Sequence, residues 1–345
     1  HCHALTSISI PTGVTAIPDQ CFSYCKALTS ISFHEGISFG TAVLQNCSAL
    51  TSVTLPAGMT EIAQQMFQNC SALETLSIPA TVTKIRDDAF AGCTKLNIVL
   101  PEGVTEIGSE AFKSCLALTE FTMPTAMTKI PTNLFNSCTN LTKVTMSDNV
   151  TEIGNNAFRD CTNLATIAVV KDEATEDTPA AAPAREAATG INFPSKLTTI
   201  GNYAFYKCKA ITSAVLPDGL TKIGSNTFQE CSALESVYLP ETVTSIGSNA
   251  FQNAKLKQFV LPAAVTNINS WMVGGNSGLK IYICSPTPVY CGSTVWASTS
   301  YSVCHALVVP TGTADAYSAK TYWNKSTITA PALQSLNLTD TALSL

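Results

Sequence analysis

Hydrophobic and polar positions along this chain follow two periods, one short and one long. The unit reads C-x-x-L-x-x-(V/I)-x-(L/I)-P-x-x-V-T-x-I-G-x-x-A-F-x-x and then begins again, with cysteines at Cys2, Cys25, Cys47, Cys70, Cys93, Cys115, Cys138, Cys161, Cys208 and Cys231. Apart from one gap, successive cysteines lie 22 or 23 residues apart. Such a fixed period marks a solenoid, in which each unit hides its apolar side only by stacking on its neighbours. Within one copy, Leu76-Ser77-Ile78 alternates apolar with polar and is closed by Pro79, which has no N–H for a ladder, so a short strand is predicted there. The second half of the unit carries glycine near its middle in most copies and an aromatic near its end. That pattern predicts a tight turn followed by one loose helical or 3₁₀ turn on the opposite wall.

Strands are expected near Leu5, Leu28, Leu50, Leu73, Leu96, Leu118, Leu141, Leu164, Ile211, Leu234, Leu256 and Leu279. Stacked in register about 4.8 Å apart, they would form a parallel sheet roughly 55 Å long. The fold class is therefore an α/β repeat solenoid with the sheet on one face and short turns or helical segments on the other. The period runs through every midpoint where a boundary could fall, so residues 1–283 read as one elongated domain of about twelve repeats. Residues 284–330 then read as a capping segment, and 331–345 as a tail or the first strand of a further domain.

One interruption breaks the period, because Cys161 and Cys208 are 47 residues apart. The excess, roughly 171–190, is acidic at its start and rich in alanine and proline, which predicts a projecting loop before the pattern resumes at Ile191-Asn192-Phe193-Pro194. Its Asp172, Glu173, Glu176 and Asp177 lack the ligand order and central glycine of an EF-hand, so a spacer is favoured over a calcium site.

The repeated unit resembles the BspA-like leucine-rich repeats found in surface proteins of Bacteroidetes, treponemes and some mucosal protozoa. That resemblance implies a right-handed coil on a secreted or surface-anchored protein that binds host or matrix proteins or peptides, and it implies no catalysis. Val308-Val309-Pro310 with Asp315, Tyr317, Tyr322 and Trp323 resembles the closing segment that often follows such repeats, which implies a last strand at the valine pair with Tyr317 and Trp323 packed over the end of the core. The alternating stretch 336–345 resembles the first strand of a bacterial Ig-like domain, the alternatives being an extra strand or a tail.

Composition agrees with an exported scaffold. Only 12% of residues are charged, about half the usual share of a soluble domain. A formal net charge of −5 with 19 scattered Lys and Arg leaves no footprint for nucleic acid. No apolar run reaches the length of a spanning helix, and the chain opens at His1 within a repeat instead of in an export signal, as a mature or trimmed chain would. An extracellular or cell-surface location and a monomeric state are expected.

The fourteen cysteines would ordinarily suggest disulfides in such a protein. Those sharing one phase of a stacked repeat should instead point in parallel into the core as buried free thiols, with Ala254 and Asn276 in the same phase further on. Cys21, just before an aromatic, reads as core as well. Cys284, Cys291 and Cys304 fall outside the phase. Cys284 and Cys291 are the most plausible disulfide pair, whereas a zinc site with His305 matches no usual spacing. No cofactor or metal is expected.

Catalytic patterns are weak. Glu61, Glu102, Glu106 and Glu152 recur one per repeat as a solvated surface instead of converging in a cleft, and neither a nucleophile elbow nor a phosphate loop is present. The recurring Phe67, Phe90, Phe112, Phe135, Phe158, Phe205, Phe228 and Phe251 read as a core spine. Partner choice is left to the outward residue of each strand. That column runs Ser9, Ser32, Thr54, Ser77, Val99, Thr122, Thr145, Ala168, Val215, Tyr238, Val260 and Tyr282. Its last four members form an apolar row about 15 Å long, the candidate ligand-binding residues, with the two tyrosines as anchors. Other readings are a stalk presenting a downstream domain, glycan binding by the hydroxyl-rich part, or coverage of the row by the cap or a following domain.

Overall fold

A computed structural model describes residues 2–171, 190–291, 304–320 and 328–329. The chain winds as a solenoid of parallel strands on two walls. One wall is built from strands of two to five residues, from Ser7–Ser9 through Leu279–Ile283 to Ile328–Thr329. The other is built from two-residue strands such as Lys84–Ile85 and Glu106–Ile107, which come from the Thr-x-Ile part of the unit. Each register pairs a residue with its own copy one turn away, as Ile31 with Val53 and Ile200 with Ile223.

The core lies between the walls. Phe67, Phe90, Phe112, Phe135, Phe158, Phe205, Phe228 and Phe251 are fully buried, and their rings stack nearly parallel at centroid distances from 5.2 to 6.1 Å. This is the offset-stacked geometry that aromatic quadrupoles favour, and it gives the predicted spine. Beside it runs the cysteine ladder, free and buried from Cys25 to Cys231. Each thiol beyond the first also has a polar partner. Cys93 Sγ donates to the carbonyl of Phe67 (3.0 Å), Cys138 to that of Phe112 (3.0 Å) and Cys208 to that of Phe158 (3.1 Å). Asn276, in the same phase near the end of the coil, puts its amide on the carbonyl of Phe251 (2.9 Å). From Cys47 on, with the exception of Ala254, the position therefore holds a small buried donor, which the sequence pattern read only as a small hydrophobe. Two cysteines depart from the expectation. Cys2 and Cys21 are exposed, because they lie in the first described turn, over which no other described turn stacks.

The expected helical turn is absent from the described repeats. Two residues per unit take left-handed backbone instead, for example Asn133 (φ 56) and Ser137 (φ 65). Each interrupts a run of i→i−3 turns and swings alternate N–H groups toward the next coil, so Asn133 N donates to Asn155 O (2.9 Å), Phe135 N to Ala157 O (2.8 Å) and Ser137 N to Arg159 O (2.7 Å). The strain of about 1–2 kcal/mol per left-handed residue is offset by bonds that satisfy the buried backbone. Asparagine, which tolerates this region best after glycine, recurs there.

Two corrections concern the strand wall. Its ladder lapses at 76–78 and 98–100 and again between Ser236–Tyr238 and Gln258–Leu261, dividing the wall into sheets of three, six and four strands. Leu76, Ile98 and Leu100 stay buried, so side-chain packing, helped by the backbone bond from Asn97 N to Glu74 O (2.9 Å), carries the wall across the gap. The 47-residue interval also adds a strand that the repeat count missed. On the second wall Ile153 pairs directly with Ile200, and Ser195 and Thr198 bond to Asp148 and Thr151 as though nothing intervened. On the strand wall, Ile191–Asn192 lies between Thr166–Val170 and Ser213–Val215. Here Gly190, at φ +132, passes so close to Ser213 that a Cβ would fall 2.5 Å from its carbonyl oxygen. Asp172, Glu173, Glu176 and Asp177 lie outside the described residues.

After the last repeat, the strand expected at the valine pair begins earlier, as Cys304–Val308, and Ile328–Thr329 pairs beyond it. Pairing to Leu279–Ile283 draws it back to Cys304. A short helix, Ala314–Ser318, buries Tyr317 completely, with its hydroxyl 3.0 and 2.8 Å from the carbonyls of Ser285 and Thr287. Trp323 and the tail 331–345 lie outside the described residues.

Two outcomes test this packing. Burial pushes the Cys47, Cys93 and Cys138 thiols up to about 12, well above the unfolded value of about 8.5. The stabilisation is therefore complete below about pH 8.5 and lost as pH rises toward 12, by about 1.4 kcal/mol per pH unit for each thiol. Melting temperatures should hold steady from about pH 7 to 8.5 and fall steeply by about pH 10, and a melt unmoved over that range would contradict the thiol ladder. Gly224 is pressed against the preceding turn, where a Cβ would lie 2.7 Å from Asn202 N. Gly224→Ala should lower unfolding free energy by about 1–3 kcal/mol in urea titration.

Candidate functional site: the outer strand face

Short strands, most of them closed by proline, hold their outward residues at fixed heights, so the outward column is a rigid row. Thr122 and Thr145, Thr145 and Ala168, Val215 and Tyr238, and Val260 and Tyr282 are register partners. The structure thus places all four predicted site residues on one face in consecutive turns. Tyr238 is 36% exposed, while Val215, Val260 and Tyr282 are half-buried against their neighbours. No ladder bond joins the Tyr238 and Val260 strands, which belong to different sheets, so the row has a seam at its middle.

Two members of the column were not legible in the repeat. Asn192, on the added strand, is register partner to Val215, and Val308 is partner to Tyr282. The row therefore begins beside an amide and continues one step beyond Tyr282. Val99, in the lapsed part of the wall, is 86% exposed among hydroxyl neighbours. A single exposed apolar residue of this kind is ordinary.

The acidic residues that might have suggested chemistry are occupied structurally. Glu35 accepts the backbone N–H groups of Ala57 (2.6 Å) and Gly58 (3.0 Å) in the next turn, and Glu102 lies 3.4 Å from Thr125 N. Glu61 and Glu106 flank Arg86 at 2.7 and 3.2 Å, and Glu152 meets Lys129 at 2.9 Å. A shallow depression of about 420 Å³ on the second wall is lined by these same groups, Glu61, Arg86, Asp87 and Glu106 among them. Its one cation is already neutralised, and Thr41 carries its one hydroxyl. His34 lies against the carbonyls of Glu35 and Pro11. Among the described residues no group of three or more His, Cys, Asp or Glu is placed to hold a metal. Cys284 carries a free thiol, raised by burial to about 11, so it does not form the disulfide considered for it. The side chains of Cys291, Cys304 and His305 lie outside the described residues.

A second unusual patch lies on the opposite wall. Arg159 packs over the rings of Tyr203 (5.5 Å) and Tyr206 (5.1 Å), and the Tyr206 hydroxyl reaches Glu230 (3.1 Å). It ties three successive turns together where the strand wall carries its additional strand. Sequence reading passed over it because its members sit at phases that vary from turn to turn.

The family model for the BspA-type leucine-rich repeat region (6 copies) matches residues 1–97, 60–175 and 185–280. The chain belongs to the BspA-type leucine-rich repeat family. Proteins with this repeat and fold are typically non-enzymatic scaffolds. Solved structures of this kind share the architecture. A leucine-rich repeat protein from Bacteroides ovatus is 21% identical with a TM-score of 0.56, over 94% of this chain and 91% of that one. A leucine-rich cell surface protein from Faecalibacterium prausnitzii is 23% identical with a TM-score of 0.50, over 89% and 82%. The pneumococcal vaccine antigen PcpA is 18% identical with a TM-score of 0.51, over 94% and 89%. At these identities the likeness establishes the fold. No curated protein sequence matches the chain. Among the described residues, no helix of this BspA-type protein is long and apolar enough to cross a membrane.

Proposed function

We propose that this BspA-type protein is a non-catalytic scaffold on the cell surface or outside the cell, which recognises a protein or peptide through its outer strand face. The observation that carries this reading is the change of character along one rigid column. From Ser9 to Thr145 it presents mostly hydroxyls, and over Val215, Tyr238, Val260 and Tyr282 it presents an apolar and aromatic row. Backbone pairing fixes every member of the row before any ligand arrives, which lowers the ordering cost of binding. Tyrosine is among the residue types that most often dominate binding energy. The surroundings support recognition over chemistry, because Glu235, where the strands of the row begin, is held between Lys255 and Lys257. A cell-surface location is supported by the likeness to the Faecalibacterium prausnitzii cell surface protein and by a surface with few charges and many hydroxyls.

The test is capture of purified extracellular-matrix and mucosal proteins by the immobilised chain. Replacing both anchors, Tyr238→Ser with Tyr282→Ser, should weaken capture by at least about tenfold, while the melting temperature stays within a few degrees of the parent. Capture that is unchanged in the doubly substituted chain would reject the row as the recognition surface.

A further inference from the structure

The strand face is bounded by two rims, and the rims differ in charge. In the turns that carry the apolar row, the rim where strands begin holds Lys209, Lys255 and Lys257, and Lys280 stands on the outer face of its strand two residues before Tyr282, all exposed. Its one acid there, Glu235, is held between Lys255 (2.7 Å) and Lys257 (3.0 Å). The rim where strands end holds Asp218 and Glu241, both exposed. Earlier turns keep the same polarity. Lys26, Lys95 and Lys143 lie on the first rim, where Glu74 and Glu120 are bridged to Lys95 and Lys143, and Glu35, Glu102 and Asp148 lie on the second. Lys171, which follows the strand Thr166–Val170, and Lys196, bonded to Asn149, interrupt the second rim. The face is thus a flat strip with a positive edge, an apolar or hydroxyl centre and a negative edge.

We propose that this strip pairs face to face with a second copy of the chain about a two-fold axis parallel to the solenoid. The proposal rests on the reading of the strand face as the recognition surface and names a partner for it. Two such strips can meet with strands antiparallel or parallel. The antiparallel arrangement sets each lysine edge against an acidic edge, whereas the parallel one sets like edges together, so charge selects the first. Every turn then faces its own copy at the same height, as an isologous contact requires. Lys209 of one copy lies opposite Asp218 of the other, and Tyr238 and Tyr282 each meet their own counterparts at the centre. About twelve turns at about 4.8 Å spacing, across a strand and its rims of about 15 Å, offer roughly 800 Å² per copy. That is the size of a standard interface, about 800 Å² per partner. Most of it is hydroxyl, so the dimer is a weak one.

Sedimentation velocity on the whole chain, from about 1 to 200 µM, the weak end of affinities for interfaces of this size, tests the pairing. The expected result is a reversible monomer–dimer equilibrium that loosens in about 1 M salt. Lys209→Glu and Asp218→Lys, each alone, should raise the dissociation constant at least about tenfold, and the two together should restore it to within about threefold of the parent. A chain that stays monomeric throughout, or a double variant no tighter than the singles, overturns the proposal. Capture by the Tyr238→Ser, Tyr282→Ser chain separates this failure from the other. If the parent does not dimerise but the doubly substituted chain loses capture, self-pairing fails and the face remains a recognition surface.

Discussion

Every residue in the coil sits about 5 Å from a copy of itself, and the rest of the structure follows from which side chains tolerate that neighbour. Phenylalanine does, by offset stacking, and so do isoleucine and leucine. A thiol does because it reaches past its own kind to a carbonyl one turn away, as Cys161 does to Phe135 (3.0 Å). Threonine does in the same manner, with Thr105 Oγ1 on Thr83 O (3.3 Å) and Thr151 Oγ1 on Thr128 O (3.2 Å). The repeat is therefore conserved within the molecule for a physical reason: a position accepts only groups that pair with themselves or with the backbone beneath.

Charge fails that test, since like charges directly opposite one another across strands are destabilising. Where charged residues occupy one column of the second wall they alternate in sign, Glu61 beside Lys84, Lys84 beside Glu106, and Lys129 beside Glu152. The 12% charged content reflects this restriction as well as any compartment. Exposed pairs of this kind contribute little energy, about 0–1 kcal/mol each, but a slip of one turn would set like upon like. Their effect is to penalise misregister in a chain whose repeats are otherwise interchangeable.

What the sequence made legible was whatever recurs. The solenoid, the parallel register, the phenylalanine spine and the outward column all follow from period and phase. The strand added at Ile191–Asn192 was not legible, because counting residues between cysteines does not say on which wall an excess is placed. The helical turn was misread for a local reason. Left-handed residues such as Asp88 and Tyr203 are of varied type, since bonds between turns hold them where propensity would not, so composition gave no warning. Cys21 was misread because phase was taken to guarantee burial, and phase guarantees it only where turns stack on both sides. The four row residues were found from phase alone, while the polarity of the rims was not, because it is a property of two edges that become neighbours of one face only after folding.

The outward column is the one place where self-stacking leaves a choice, because a hydroxyl, a small aliphatic or an aromatic can each sit beside its like with one side in water. In the last turns the choice alternates small with large, Val215 then Tyr238, Val260 then Tyr282, so the row is ridged. Each tyrosine is braced by a β-branched neighbour whose χ1 is itself restricted, and the ring loses little rotamer freedom when a partner arrives. A scaffold stiff in every other direction thus concentrates its variability on a surface already paid for by folding, in the residues that the repeat does not dictate.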